Sequence, residues 1–332
     1  MHRRYPVVDG HADSILTVID GVRTLSERSE KGHLDFPRAL EAGLACTVQA
    51  AWPGNEFASL LPREARSRFD SMHRDPHRRV AQEIDALRNQ IDNAGGSVRL
   101  ALTAADVRAA HAAGQLAVLI NIEGAEAVEG DLALLRNFYR LGVRMMGLVW
   151  NFPNKVTDGA GDEGRGAGLT KFGRAVIREM NRLGMLIDLA HITPTGFFEV
   201  LELSTAPVLF THGNCHALWQ HARNLTDAQI KALAAKGGVM GISVVSTFMG
   251  PETATRKTVA DHIDHVVQLL GSADHVAYGS DFDGCTPPPG LEDVTKLIDL
   301  TADLLDRGYT EADMAKILGG NYLRVFEEVL RP

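Results

Sequence analysis

Residues 171–191 read KFGRAVIREMNRLGMLIDLAH. Phe172, Val176, Ile177, Met180 and Leu183 recur at three- and four-residue spacing, which predicts an amphipathic helix over Lys171–Leu183. Gly184 follows as its C-cap. Leu186–Leu189 is then a short, nearly continuous apolar run, as expected of a parallel strand buried on both faces. The run leads straight into His191. A helix that returns the chain to a buried strand, with a reactive side chain at the strand's C-terminal end, is the repeating unit of an α/β barrel.

The same pattern recurs in both directions. Pro6–Asp13 carries His11 and Asp13, Leu116–Glu123 ends on Glu123, Pro207–His212 on His212, and His275–Asp281 on Asp281. Eight strands are expected: Val7–Gly10, Ala45–Ala51, Ala117–Ile122, Val143–Val149, Leu186–Leu189, Val208–Phe210, Val239–Val244 and Val276–Gly279. Helical periodicity is clearest over Ala104–Ala113, Ala133–Leu141, Lys171–Leu183, Asp227–Lys236, Val259–Leu270 and Glu292–Arg307. Gly114, Gly142, Gly237 and Gly271 follow four of these as C-cap signals. Eight strand–helix alternations favour a closed (β/α)8 TIM-type barrel over an open sheet.

The 332 residues, 45% apolar, suit a single barrel domain spanning 1–332. Residues 52–96 are too long for a simple connection after the second strand and form an insertion. Its second half, about Asp75–Ile91, reads as a polar helix. The first half, residues 52–75, either covers the barrel mouth or is a surface excursion. Glu311–Leu330 supplies closing helices.

A net charge of −8 without basic blocks argues against nucleic acid or an anionic membrane as partner. Three cysteines without CxxC spacing form neither a disulfide framework nor a zinc ribbon. The basic N-terminus lacks an apolar h-region, and no run approaches the roughly 18 residues of a membrane span. A cytoplasmic location is therefore expected. His2, His33, His73 and His77 read as surface residues, and His262 and His265 as solvent or interface positions on a helix.

His11 and Asp13 stand two apart on a strand and so face one way. An isolated H-x-D is more often a plain hydrogen-bonded pair, but at the end of a first barrel strand it points to a metal. Glu123 closes a very apolar strand, where a carboxylate needs a partner. That partner is either an arginine or a pair of metals, which its two oxygens can bridge. His191 and His212 end adjacent strands and suit a second metal. Imidazole plus carboxylate fits Zn²⁺, with Mn²⁺, Co²⁺ and Fe²⁺ also compatible. Asp281 is placed for acid–base work, with Asp283 as its competitor. Arg223 is free to hold an anion, while Asn224 or Thr226 caps the next helix. GAGDEGRGAG (159–168) lacks a P-loop ending, no G-x-S-x-G elbow is present, and Cys215 is a poor candidate nucleophile.

Together, VVDGHAD (7–13), NIEGAEA (121–127), GLTKFGRAVIREMNRLGMLIDLAHI (168–192), THGNCHALWQHARNLTD (211–227), YGSDFDG (278–284) and ILGGNYLRVF (317–326) resemble the membrane (renal-type) dipeptidases, metallopeptidase family M19. The resemblance covers nearly the whole chain. It implies a binuclear zinc site and hydrolysis of dipeptides by a metal-bridging hydroxide, with a D-residue tolerated at the C-terminal position. It also implies a homodimer. By the same resemblance, His11 and Asp13 bind one zinc, Glu123 bridges, and His191 and His212 bind the other. Arg223 clamps the substrate carboxylate and Asp281 handles the proton.

One position departs from the family pattern. Where many members have an oxyanion-binding His after the fourth strand, this chain has Trp150, in GLVWNFPN. The indole N–H, Asn151 or Asn154 is then left to serve the oxyanion. Two further readings stay open: a binuclear amidohydrolase acting on a lactam or N-acyl amino acid, and a metal- or ligand-binding protein without peptidase activity.

Overall fold

The structure, a computed structural model, describes residues 1–54, 75–161 and 166–331. Nine strands pair in parallel: β1 (Val7–Ala12), β2 (Leu44–Ala51), β3 (Val98–Leu100), β4 (Leu116–Glu123), β5 (Val143–Gly147), β6 (Leu186–Asp188), β7 (Leu209–Gly213), β8 (Val239–Ile242) and β9 (Val276–Tyr278). β1 pairs with both β2 and β9, and β2 pairs with β4, so eight strands close into the expected (β/α)8 barrel.

β3 is the strand that periodicity did not predict. β2 occupies one edge of β4 from Ala117 to Ile122, so β3 and β5 share the other. β3 takes Leu116–Val118 and β5 takes Ile120–Glu123. β3 is therefore a three-residue graft on the barrel's N-terminal rim.

The expected helices form close to their predicted bounds, for example Lys171–Leu183 and Asp227–Ala235. Gly114, Gly142, Gly184, Gly237 and Gly271 all take the positive φ of a C-cap. Thr226 caps the helix at Asp227 in a capping box with Gln229. Asn224 instead ties its loop together by donating to the carbonyls of Trp219 and Phe248.

The helix expected over Asp75–Ile91 spans Pro76–Asn93. Its polar composition conceals a buried stripe of Val80, Ile84, Leu87 and Ile91 at helical spacing. The possible cover over residues 52–75 falls largely on 55–74, outside the described residues.

Val8, Val48, Leu119, Met145, Leu186, Leu209, Val239 and Ala277, one from each barrel strand, pack into one cluster with Tyr322 and Phe326. Side chains from all eight strands can meet only inside the barrel, so this cluster is the lumen. Tyr322, on the helix Asn321–Val329, enters it from below and donates to the carbonyl of Thr211 at 3.4 Å. A Cβ on Gly241 would lie 2.4 Å from that hydroxyl and 2.0 Å from the Thr211 oxygen, so only glycine admits the plug there. A larger apolar layer packs between the barrel wall and the helices. Among the described residues, no helix is long and apolar enough to cross a membrane.

Candidate active site

The lumen is apolar at its floor and polar at its C-terminal rim. His11 lies near the end of β1, Glu123 is the last residue of β4, and His212 lies in β7. Asp13 follows β1 directly, and His191 and Asp281 lie in the turns just beyond β6 and β9. These six residues converge although they come from five strands.

His191 Nε2 is 2.9 Å from Glu123 Oε1 and 3.0 Å from His212 Nε2, and His212 Nε2 is 3.5 Å from the same oxygen. His11 Nε2 lies 3.6 Å from both Glu123 Oε1 and Asp13 Oδ1, and 3.9 Å from Asp281 Oδ1. Three sets of three can each hold a cation, with donor atoms within 4.8 Å of one another: His11–Asp13–Glu123, Glu123–His191–His212 and His11–His212–Asp281. Both nitrogens of His11 and Oδ1 of Asp13 are buried without a hydrogen-bond partner among the described residues. Buried polar atoms are normally satisfied, so these orphans fit the role of cation ligands. Glu123 belongs to two sets, which is what a bridging carboxylate requires.

Electrostatics agree with the geometry. Burial pushes the Glu123 carboxyl well above its ordinary range, and Asp13 raises it further. Burial, with Asp13 next, does the same to Asp281. Burial and the Arg223 charge hold His191 well below its ordinary value. Burial, with His11 next, does so for His212, leaving both imidazoles neutral and able to ligate. Burial also lowers His11, but Glu123, Asp13 and Asp281 together outweigh it and hold this imidazolium up at about 10.

Backbone strain gathers here. Among the described residues, four other than glycine have positive φ, and three of them are His191 (68°), Asp281 (64°) and Asp283 (69°). Such conformations are retained where the surroundings enforce them, commonly at functional sites. Gly284 lets the chain pass over Asp13, since a Cβ there would sit 2.0 Å from Asp13 Oδ2.

Packing separates the two aspartates of GSDFDG. Asp283 accepts from Ser14 Oγ at 2.5 Å, Arg23 Nη2 at 2.6 Å and the His33 N–H at 2.7 Å. It is the anchor of the loop after β1. Asp281 faces His11 and Asp13 instead. Only Asp281 is available to the cation-binding cluster.

A cavity of about 370 Å³ opens onto this cluster. Arg223 reaches it from the loop after β7, 6% exposed, with its guanidinium 5.3 Å from the Phe248 ring. Its Nε lies 3.1 Å from His191 Nδ1, but Nη1 and Nη2 are buried without a partner among the described residues. Burial lowers this guanidinium to about 10, which leaves it charged at neutral pH. Two unused, parallel N–H donors on a buried cation form a receptor for a carboxylate.

Trp150 and Asn151 also line the cavity. Trp150 packs edge-on to Trp52 at 5.2 Å, and Arg79 lies over Trp52 at 5.7 Å, so the three form one wall. Asn151 Oδ1 sits 2.8 Å from His191 Nδ1, where it orients the imidazole. Asn154 is consumed by its own turn, accepting from the Val156 and Thr157 N–H groups.

Sequence reasoning missed two buried supports. Asp9 accepts from the N–H and hydroxyl of Ser280, tying β1 to the residue before Asp281. Asp188 accepts from the Thr211 hydroxyl at 2.6 Å, tying β6 to the residue before His212. A charged residue within each apolar strand was the available signal. The expectation that His262 faces solvent is corrected. It is fully buried, accepting from the Cys215 N–H and donating to the Met249 carbonyl. His2 is likewise buried, between Ala42 and Thr301, and His33 and His77 are partly buried rather than free on the surface. His73 lies outside the described residues. The Cys215 thiol is buried and raised by that burial, so it is no nucleophile.

Comparison with known proteins identifies the family. The family model for membrane dipeptidase (peptidase family M19) matches residues 1–331. Dipeptidase verJ of Clonostachys rogersoniana is 36% identical over 333 residues, covering 98% of this chain and 84% of that one. A metallo peptidase from Rhodobacter sphaeroides, solved with a phosphinate mimic of the dipeptide L-Ala-D-Ala, has a TM-score of 0.88 at 32% identity, over 98% of this chain and 99% of the other. A solved M19 metallo peptidase, dipeptidase AC, has a TM-score of 0.86 at 32% identity, again over 98% and 99%. With the family model spanning the chain and relatives at this identity over nearly its full length, the chain belongs to the membrane dipeptidase family, peptidase family M19, whose members are metallo-dipeptidases.

Proposed function

We propose that the protein hydrolyses free dipeptides with two zinc ions. His11, Asp13 and Glu123 hold one, and Glu123, His191 and His212 hold the other. The observation that carries this reading is the pairing of two cation-binding sets that share Glu123 with an unpartnered Arg223 fork on the same cavity. When bound, the metals would supply water of lowered pKa and Lewis acidity towards a carbonyl.

The chain's own groups do the rest. Arg223 holds the substrate carboxylate through Nη1 and Nη2, fixing the scissile bond one residue away. A peptide longer by one residue would put its terminal carboxylate out of register, so short substrates are selected. Asp281, within reach of Asp13 and His11, accepts the proton of the attacking water and returns it to the leaving amine. Trp150 and Trp52 wall off the cavity and exclude water there. The L-Ala-D-Ala mimic bound by the Rhodobacter protein supports tolerance of a D-residue at the C-terminal position.

The test is hydrolysis of matched L-Xaa-L-Xaa and L-Xaa-D-Xaa dipeptides by zinc-reconstituted and chelated protein. Zinc-dependent cleavage of both series is expected. Two bound metals without cleavage would reject the dipeptidase reading in favour of another amide.

A further inference from the structure

The two cation-binding sets are not equally prepared. His212 is held from behind by an ordered chain of hydrogen bonds. Asp188 Oδ1 accepts from the backbone N–H groups of Ala190 and Thr211, each at 3.0 Å. Its Oδ2 accepts from the Thr211 hydroxyl at 2.6 Å. The hydroxyl has one proton, and Asp188 takes it. Thr211 Oγ1 can then only accept from His212 Nδ1, 2.9 Å away. This places the imidazole proton on Nδ1 and leaves the Nε2 lone pair facing Glu123 and His191. His191 is flanked at the same nitrogen by Asn151 Oδ1 at 2.8 Å and by the donor Arg223 Nε at 3.1 Å, so only His212 has its proton placed by a one-way chain. Nothing comparable holds His11, whose nitrogens both lack partners among the described residues.

We propose that Thr211, backed by Asp188, is a positioning residue that sets the His212 tautomer and makes Glu123–His191–His212 the tighter of the two metal sites. This rests on the two-metal reading above. Asp188, Thr211 and His212 are all buried, so water cannot substitute for the missing oxygen when Thr211 is changed. Supports behind a metal-binding imidazole commonly carry ten- to a hundredfold in affinity.

The experiment is zinc titration of the metal-free full chain against a chromophoric chelator. The wild type should take up two ions in two separated steps. Thr211→Val, near-isosteric but without the oxygen, should weaken the tighter step by about 10–100-fold and leave the weaker one in place. Thr211→Ser should restore it. Asp188→Asn should reproduce the Thr211→Val loss, because its amide donates to Oγ1 and turns the hydroxyl proton towards His212 Nδ1. An unchanged tight step in Thr211→Val, or no rescue by serine, overturns the proposal. Should Thr211→Val fail to fold, ¹⁵N-histidine spectra of the metal-free wild type decide, with His212 assigned by its loss in His212→Gln. A proton on Nδ1 is expected, and a proton on Nε2 overturns it. Wild type that binds no zinc would reject the two-metal reading itself, whereas two ions bound alike in wild type and Thr211→Val would reject only the role of Thr211.

Discussion

Replacing Arg223 with methionine keeps much of the side-chain volume and removes the charge and both free donors. Hydrogen bonds to a charged group each contribute about 1.5–3 kcal/mol. Arg223 is 6% exposed, so a substrate carboxylate left beside methionine would be desolvated without a partner. Breaking such a buried pair costs about 3–5 kcal/mol, which is roughly two to four powers of ten in kcat/KM. The assay compares a dipeptide with its C-terminal amide, for wild type and Arg223→Met. Wild type should prefer the free acid by nearly that whole factor. In the variant the acid should fall to the level of the amide, while the amide changes less than about tenfold. Metal content must be measured alongside, because Arg223 Nε also contacts His191 Nδ1. Equal losses on both substrates would refute the carboxylate role and assign Arg223 to supporting His191. Survival of the acid rate would refute any role in binding.

Asp281→Asn should lower kcat by about 10²–10⁴-fold with folding intact, whereas Asp283→Ala should lower thermal stability. The latter strands the Arg23 guanidinium, 3% exposed, at a cost of about 3–5 kcal/mol; calorimetry beside kinetics separates the two. Trp150→His should bring no gain in kcat and should raise KM, because the indole is packed into the Trp52–Arg79 wall; steady-state kinetics decide, and a large gain would mean that the wild-type site is impaired. Glu83 is fully buried 2.8 Å from Arg79, and burial holds its carboxyl up at about 8 against an ordinary 4.5. A carboxyl raised in the folded state favours folding below its unfolded value and loses that contribution as pH rises through the folded one. Tm should therefore fall between about pH 5 and 8, and Glu83→Gln should flatten that slope.

Strand ends were legible because parallel strands buried on both faces read as apolar runs, against which His11, Glu123, His191, His212 and Asp281 stand out. The short graft β3 was not, since its three residues alternate burial and leave Arg99 exposed. Nor could sequence choose between Asp281 and Asp283. Both follow the same strand, and what distinguishes them is Ser14 and Arg23, brought in from the far end of the chain. His262 failed for a similar reason. Its helix shows which positions share a face, but not that Cys215 and Met249 wait there to hydrogen-bond it. Thr211 was hidden beside a more conspicuous neighbour, and only the direction of its hydroxyl bond reveals what it does.

Two distant parts of the chain finish the lumen. Asp9 in β1 pairs with Tyr278 in β9, and Tyr322 seals the floor beneath Thr211. A ribosome delivers these pieces in sequence order. The nascent chain can form its internal strand–helix pairs early, but it cannot join the first strand to the last until Val276–Tyr278 has cleared the exit tunnel, nor stopper the core until Asn321–Val329 has followed. During that interval the first strand has an unpaired edge and the lumen an uncovered apolar floor. Non-local closure of this kind is slow and leaves such surfaces open to aggregation. The position of Tyr322 thus sets a timetable for biogenesis, in which the helix Asn321–Val329 decides when the barrel floor is covered.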